Sequence, residues 1–175
     1  AERLARIAAT TDLEGVARAY YAMTHDVDPT RCVRFLRHIL RAEQRGAILA
    51  RRIPTGGTVL DLGCGTGATT LALAARGDDA TGVDIASRWL VAARRRLHDA
   101  GVDARLIAAD AEALPFPDAS FDHVVADSLI EHLDDPEQGL REAFRVLRPG
   151  GTLLLWSPNR LSPIPDPHVR LWGVG

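Results

Sequence analysis

Nine residues, Val59-Leu60-Asp61-Leu62-Gly63-Cys64-Gly65-Thr66-Gly67, constrain what this chain can fold into more than any other stretch. An apolar run ends in three alternating glycines, and an alanine-rich segment follows at once. That pattern is a strand, a tight turn and the N-terminus of a helix. Glycine permits left-handed backbone and lets a ligand come close to the main chain, while the first N–H groups of the helix have no partners within it. A bare strand-to-helix turn needs one glycine. Three alternating ones predict a turn that binds something.

Downstream of Pro54-Thr55-Gly56-Gly57 the pattern alternates between strand and helix. This predicts an α/β fold, a Rossmann-like, doubly wound and mostly parallel sheet with helices on both faces. The first strand covers 58–62 and its helix 68–76, closed by Gly77. The second strand covers 79–83 and ends at Asp84; Ser87 is expected to cap the next helix, which carries Leu90, Val91 and Leu97. The third strand, 104–109, ends at Asp110, and the fourth, 122–126, at Asp127. Asp135-Pro136 reads as an N-cap and first helical residue, opening a helix through Leu140, Phe144 and Leu147 that stops before Pro149-Gly150-Gly151. A fifth strand follows over 152–156.

The stretch 1–53 reads as an N-terminal helical lid over a core at 54–159. Leu4, Ile7 and Ala8 share one helical face, and Val33, Leu36, Leu40 and Ile48 another across 30–53. Tyr20 and Tyr21 lie between them, either packed under a neighbouring helix or touching ligand from a lid. Residues 160–175 hold Pro163, Pro165 and Pro167 and read as a proline-rich loop opening a longer C-terminal part.

With 175 residues, 46% of them hydrophobic, one sizeable core can be buried. A net charge of −2 lacks the basic field that nucleic acid requires. Cys32 and Cys64 have neither disulfide-framework nor metal-ligand spacing, so no metal is expected. The chain contains arginine but no lysine, which excludes a lysine Schiff base and a P-loop lysine from it. No apolar run is long enough to span a bilayer and no leader pattern opens the chain, so a cytoplasmic protein without membrane insertion is expected.

In an open parallel sheet the ligand sits outside the carboxyl ends of the strands, where strand order reverses. Four aspartates fall at or just beyond those ends. Asp84 follows the glycine turn at the spacing of an acid that accepts both hydroxyls of a ribose. Gly63-x-Gly65-x-x-Ala68 also satisfies a dinucleotide fingerprint, so the turn alone leaves NAD open. Asp61 weighs against NAD, because it sets negative charge where a pyrophosphate would lie. The same charge suits a ligand with an ammonium and a sulfonium, namely S-adenosylmethionine.

From about residue 58 to 159 the chain resembles the class I S-adenosylmethionine-dependent methyltransferases. The stretch 59–67 looks like their first motif and Gly82-Val83-Asp84-Ile85-Ala86 like the second. Ala109-Asp110-Ala111-Glu112-Ala113-Leu114-Pro115-Phe116 resembles the third, and Leu147-Arg148-Pro149-Gly150-Gly151 matches the turn before strand five. By this resemblance Asp61 would hold the methionine amino group, Asp84 the ribose, and Asp110 the adenine amino group with Ala111 against the ring. Gly63, Cys64, Gly65, Gly67, Ile85, Asp127, Ser128 and Tyr21 complete the implied cofactor site.

Leu114-Pro115-Phe116 and Glu131-His132-Leu133 look most like the branch that methylates small molecules such as quinone precursors and natural products. Methyltransferases of nucleobase amino groups carry Asn/Asp-Pro-Pro-Tyr/Phe after strand four, where this chain has Ala126-Asp127-Ser128-Leu129. The expected product is S-adenosylhomocysteine. His132 and His168 are the candidate bases, with Glu131 third. Competing expectations are an NAD-dependent oxidoreductase and a non-catalytic cofactor-binding or interaction module. The resemblance also implies a helix and two strands after strand five that this stretch of sequence does not contain. Strand five is therefore expected to pair with the rest of a longer chain or with a second copy as a homodimer.

Overall fold

The structure, a computed structural model, describes residues 29–157, with side chains from residue 40 onward. Tyr20, Tyr21 and His168 lie outside the described residues. The elements run α1 (Pro29–Ala50), β1 (Thr58–Leu62), α2 (Ala68–Ala75), β2 (Asp79–Asp84), α3 (Ser87–Asp99), β3 (Arg105–Ala108), β4 (Phe121–Asp127), a 3-10 turn (Ile130–His132), α4 (Pro136–Val146) and β5 (Leu147–Trp156). All strand pairs are parallel and the sheet order is β3-β2-β1-β4-β5. Strand order reverses between β1 and β4, which sets a crevice at their carboxyl ends.

Side chains alternate across each strand, so the sheet divides the interior into two cores. Val59, Ala80 and Val125 face the side covered by α1, α2 and α3, where they meet Leu49, Leu73 and Leu97. Leu60, Leu62, Val83, Val124 and Ala126 face the other side, where Ala143 and Val146 of α4 and Phe121 close the second core. Helices therefore cover both faces, as the alternating pattern predicts.

Helix α1 departs from its predicted face. Leu40 and Ile48 are exposed, and Ala42, Gly46, Leu49 and Ala50 point inward. The reason is close approach: a Cβ on Gly46 would lie 2.9 Å from the Ala68 and Thr69 backbone of α2. Small residues, not the largest apolar ones, define this seam. Leu49, Ala50 and Ile53 thereby join the same core as β1, so this part of the 1–53 segment is built into the body of the sheet. Val91 and Phe144 are likewise exposed, because α3 and α4 turn alanines inward: Ala92 and Ala93 on α3, Ala143 on α4.

Boundaries also differ. The N-cap of α3 is Ala86 rather than Ser87, and Asp84 holds its N–H at 2.8 Å. Strand β3 is shorter than predicted, Arg105–Ala108. Strand β5 starts at Leu147, because α4 ends at Val146 and the chain passes straight into pairing with β4 through a register shift near Phe121 and His123. Asp135 caps α4 as predicted, accepting the Gln138 N–H at 3.0 Å with Pro136 at the first helical position.

Candidate functional site

The glycine turn leaves β1 at the reversal point and is fastened to β2. The N–H groups of Gly63 and Cys64 both reach the Val83 carbonyl at 2.8 Å, and the Gly67 N–H reaches the Cys64 carbonyl at 2.8 Å. Gly65 and Gly67 serve different ends. Gly67 has φ +76° and an ideal Cβ there would lie 2.8 Å from the Ala93 Cβ, so α3 presses directly on the turn. Gly65 has φ +51°, and a Cβ there would meet nothing within 4 Å. Its α-carbon therefore faces open space, on the side where a ligand would come against the backbone.

Asp84 lies at the end of β2, half-buried. Its Oδ2 accepts the Gly65 N–H at 2.9 Å and its Oδ1 the Ala86 N–H at 2.8 Å. Each oxygen is thus used once, and a carboxylate oxygen can accept twice. A cis-diol can take the remaining capacity. Beyond β3, Asp110 is exposed with Oδ1 on the Glu112 N–H at 2.9 Å, and Ala111 behind it is buried. Ile85, 72% exposed, stands on the loop after β2. The glycine turn, Asp84, Ile85 and Asp110 thus follow one another at the carboxyl ends of β1, β2 and β3.

Residues 60–155, more than half of the chain, match the methyltransferase domain family. The chain belongs to the class I S-adenosylmethionine-dependent methyltransferases. Among relatives, it is 42% identical over 112 residues to a 27-O-demethylrifamycin SV methyltransferase of Amycolatopsis mediterranei, covering 61% of this chain and 41% of that protein. It is 35% identical over 152 residues to a ubiquinone biosynthesis O-methyltransferase of Pseudomonas paraeruginosa, covering 86% of this chain and 57% of that one. Among solved structures, the PH0226 protein of Pyrococcus horikoshii superposes with a TM-score of 0.60 at 32% identity, covering 66% of this chain and 55% of that one. The chain spans about half the length of the curated relatives it matches.

The cofactor of this methyltransferase fold is S-adenosylmethionine, and the turn and Asp84 fit it. Gly65 leaves the backbone accessible, and Asp84 retains acceptor capacity for two hydroxyls. Strand alternation puts Asp61 on the Val59 side, towards α2, where it is 1% exposed and accepts the Thr70 hydroxyl at 2.6 Å. Burial pushes its pKa up to about 7 against the Thr70 hydrogen bonds, and the charges of Asp127 and Asp84 push the same way. Cys64 is buried as well, and burial raises its thiol well above the usual range, so it is no nucleophile.

At the end of β4, Asp127 is engaged by a residue that sequence reasoning missed. Arg45 of α1 donates through Nε to both carboxylate oxygens, at 2.8 and 2.9 Å, and its guanidinium lies 4.9 Å from the Trp156 ring centre. Ser128, at φ +56°, donates its hydroxyl to Asp127 at 3.0 Å. Asp127 is thus committed to an ion pair within the protein. His132 is exposed on the 3-10 turn. Glu131, next to it, accepts the Ser157 hydroxyl at 3.3 Å and has its other oxygen buried without a partner. No group of three or more metal-ligating side chains comes together among the described residues, and none of their helices is long and apolar enough to cross a membrane.

Proposed function

We propose that this protein methylates a small-molecule acceptor by in-line transfer from S-adenosylmethionine. The observation that carries the reading is the pairing of Gly65 with Asp84, an open backbone approach next to a half-buried carboxylate with unused acceptor capacity. When bound, the cofactor supplies a methyl group on a sulfonium, whose departure leaves a neutral thioether. The protein's task is then alignment and exclusion of water. Asp84 orients the ribose, Ile85 covers the base, and Asp110 with Ala111 receives the adenine edge.

The relatives' names, a 27-O-demethylrifamycin SV methyltransferase and a ubiquinone biosynthesis O-methyltransferase, support a small-molecule acceptor. If the acceptor hydroxyl must lose a proton, His132 takes it, with Glu131 beside it and His168 as a second candidate. A cytoplasmic location belongs to the same proposal. So does the closure of β5, by a second copy or by further chain, since β5 pairs on one side only among the described residues.

Incubation with methyl-labelled S-adenosylmethionine and a panel of hydroxyl-bearing aromatic acceptors tests the reading. Labelled product together with S-adenosylhomocysteine is the expected result. Tight S-adenosylhomocysteine binding without transfer to any acceptor would instead favour a non-catalytic cofactor-binding module.

A further inference from the structure

The largest fully buried side chain among the described residues is an arginine, Arg96 of α3. An arginine keeps its charge when buried, so its environment must compensate the lost hydration. Nη1 donates to the Thr66 carbonyl at 2.7 Å and to the Thr66 hydroxyl at 3.1 Å, and Nη2 donates to Glu43 of α1 at 2.6 Å. Nε has no partner. Replacing a buried ion pair by apolar side chains is often neutral or stabilising, so packing alone gives no reason for this one.

What Arg96 grips is the glycine turn itself. Thr66 stands between Gly65, whose N–H is on Asp84, and Gly67, which meets Ala93 one turn earlier on α3. The peptide joining Thr66 to Gly67 is held at both ends, its carbonyl by Arg96 and its N–H by the Cys64 carbonyl. Glu43 holds the other arm of the guanidinium from α1, three residues before the Gly46 seam on α2.

We propose that Arg96 is a positioning residue for the cofactor turn, and that Glu43, by holding Arg96, makes docking of α1 and binding of cofactor reinforce each other. This rests on the reading of the turn as the cofactor site. Coupling of this kind is reciprocal: if α1 favours cofactor, cofactor must favour α1 by the same factor. A lysine at position 96 offers its donors from a single nitrogen in place of the two arms of the guanidinium, so it loses the forked grip on Thr66 and Glu43.

The test is calorimetric titration of S-adenosylhomocysteine into the wild-type chain, Glu43→Gln and Arg96→Lys, with amide hydrogen exchange of α1 recorded with and without the ligand. No binding to the wild type would overturn the reading of the turn itself, and this proposal with it. With wild-type binding established, both variants are expected to bind about fivefold or more weakly while still folded. Ligand is also expected to slow exchange in α1 of the wild type, and this protection to shrink in Glu43→Gln, which keeps an acceptor oxygen but loses the charge that holds Arg96. A lowered melting temperature with affinity and α1 protection unchanged would overturn the proposal and leave the cofactor reading standing. Should Arg96→Lys not fold, Glu43→Gln decides alone, because its carboxylate is at the partly exposed end of the pair.

Discussion

Alanine at Gly65 and alanine at Gly67 are chemically the same change two residues apart, yet the structure assigns them opposite consequences. Both glycines have positive φ, and an alanine in left-handed backbone costs about 1–2 kcal/mol. At Gly65 that is the whole cost to folding, since the new methyl meets nothing within 4 Å. The melting temperature should fall by only a few degrees, roughly 2–8 °C for a chain of this size. At Gly67 the methyl would lie 2.8 Å from the Ala93 Cβ, with the Ala93 α-carbon at 3.2 Å behind it, so α3 must shift. Overpacking of this kind adds about 1–3 kcal/mol, for a total of roughly 2–5 kcal/mol out of the 5–15 typical of a domain. Binding reverses the order. The Gly65 methyl occupies the open space through which ligand reaches the backbone, and S-adenosylhomocysteine affinity should drop at least about tenfold, or 1.4 kcal/mol. Thermal unfolding and calorimetry on both variants check this. A Gly65→Ala protein that binds with wild-type affinity, or a Gly67→Ala protein as stable as Gly65→Ala, would refute the division of labour.

Asp84→Ala leaves the Gly65 and Ala86 N–H groups without their acceptor and removes the ribose partner, so stability and cofactor affinity should each fall by on the order of 2 kcal/mol; unchanged affinity would remove Asp84 from the site. Asp61 titrates near 7 when folded and near 3.8 otherwise, so between these values the folded chain binds the extra proton and stability falls as pH rises from about 4 to about 7. Asp61→Asn keeps an oxygen for the Thr70 hydroxyl and should flatten that fall, which denaturant titrations at pH 5 and pH 8 would reveal as a smaller difference than in the wild type. Asp135→Ala removes the cap of α4 and should cost about 1 kcal/mol by the same denaturant assay, without altering cofactor affinity. Light scattering on the 18.9 kDa chain should show a dimer or larger species joined through β5, and a stable monomer would mean that the edge is covered from within the chain.

The parts of the fold and of the candidate site that lie within a few residues of one another were legible in the sequence. The turn, Asp84 at the end of β2, Asp110 after β3 and the Asp135 cap all depend on local pattern and local backbone geometry. What escaped depends on separation in the chain or on the choice between equivalent faces. Arg45 reaches Asp127 across 82 residues and Arg96 reaches Glu43 across 53, and no spacing rule links them. That Asp61 shares a side with Val59 follows from strand alternation, but which of the two faces carries α2 is a tertiary outcome. The face of α1 was misjudged because periodicity weights large apolar side chains, whereas Gly46 and Ala42 set the distance to α2.

The central claim is that the carboxyl ends of β1, β2 and β3 hold S-adenosylmethionine and not a dinucleotide. Calorimetric titration of the purified chain with S-adenosylhomocysteine, and in parallel with NAD, tests it most directly. The structure predicts one-to-one binding of S-adenosylhomocysteine, weakened at least about tenfold in Gly65→Ala, and no heat with NAD. Binding of NAD, or S-adenosylhomocysteine binding that survives substitution of both Gly65 and Asp84, would contradict the assignment of this crevice.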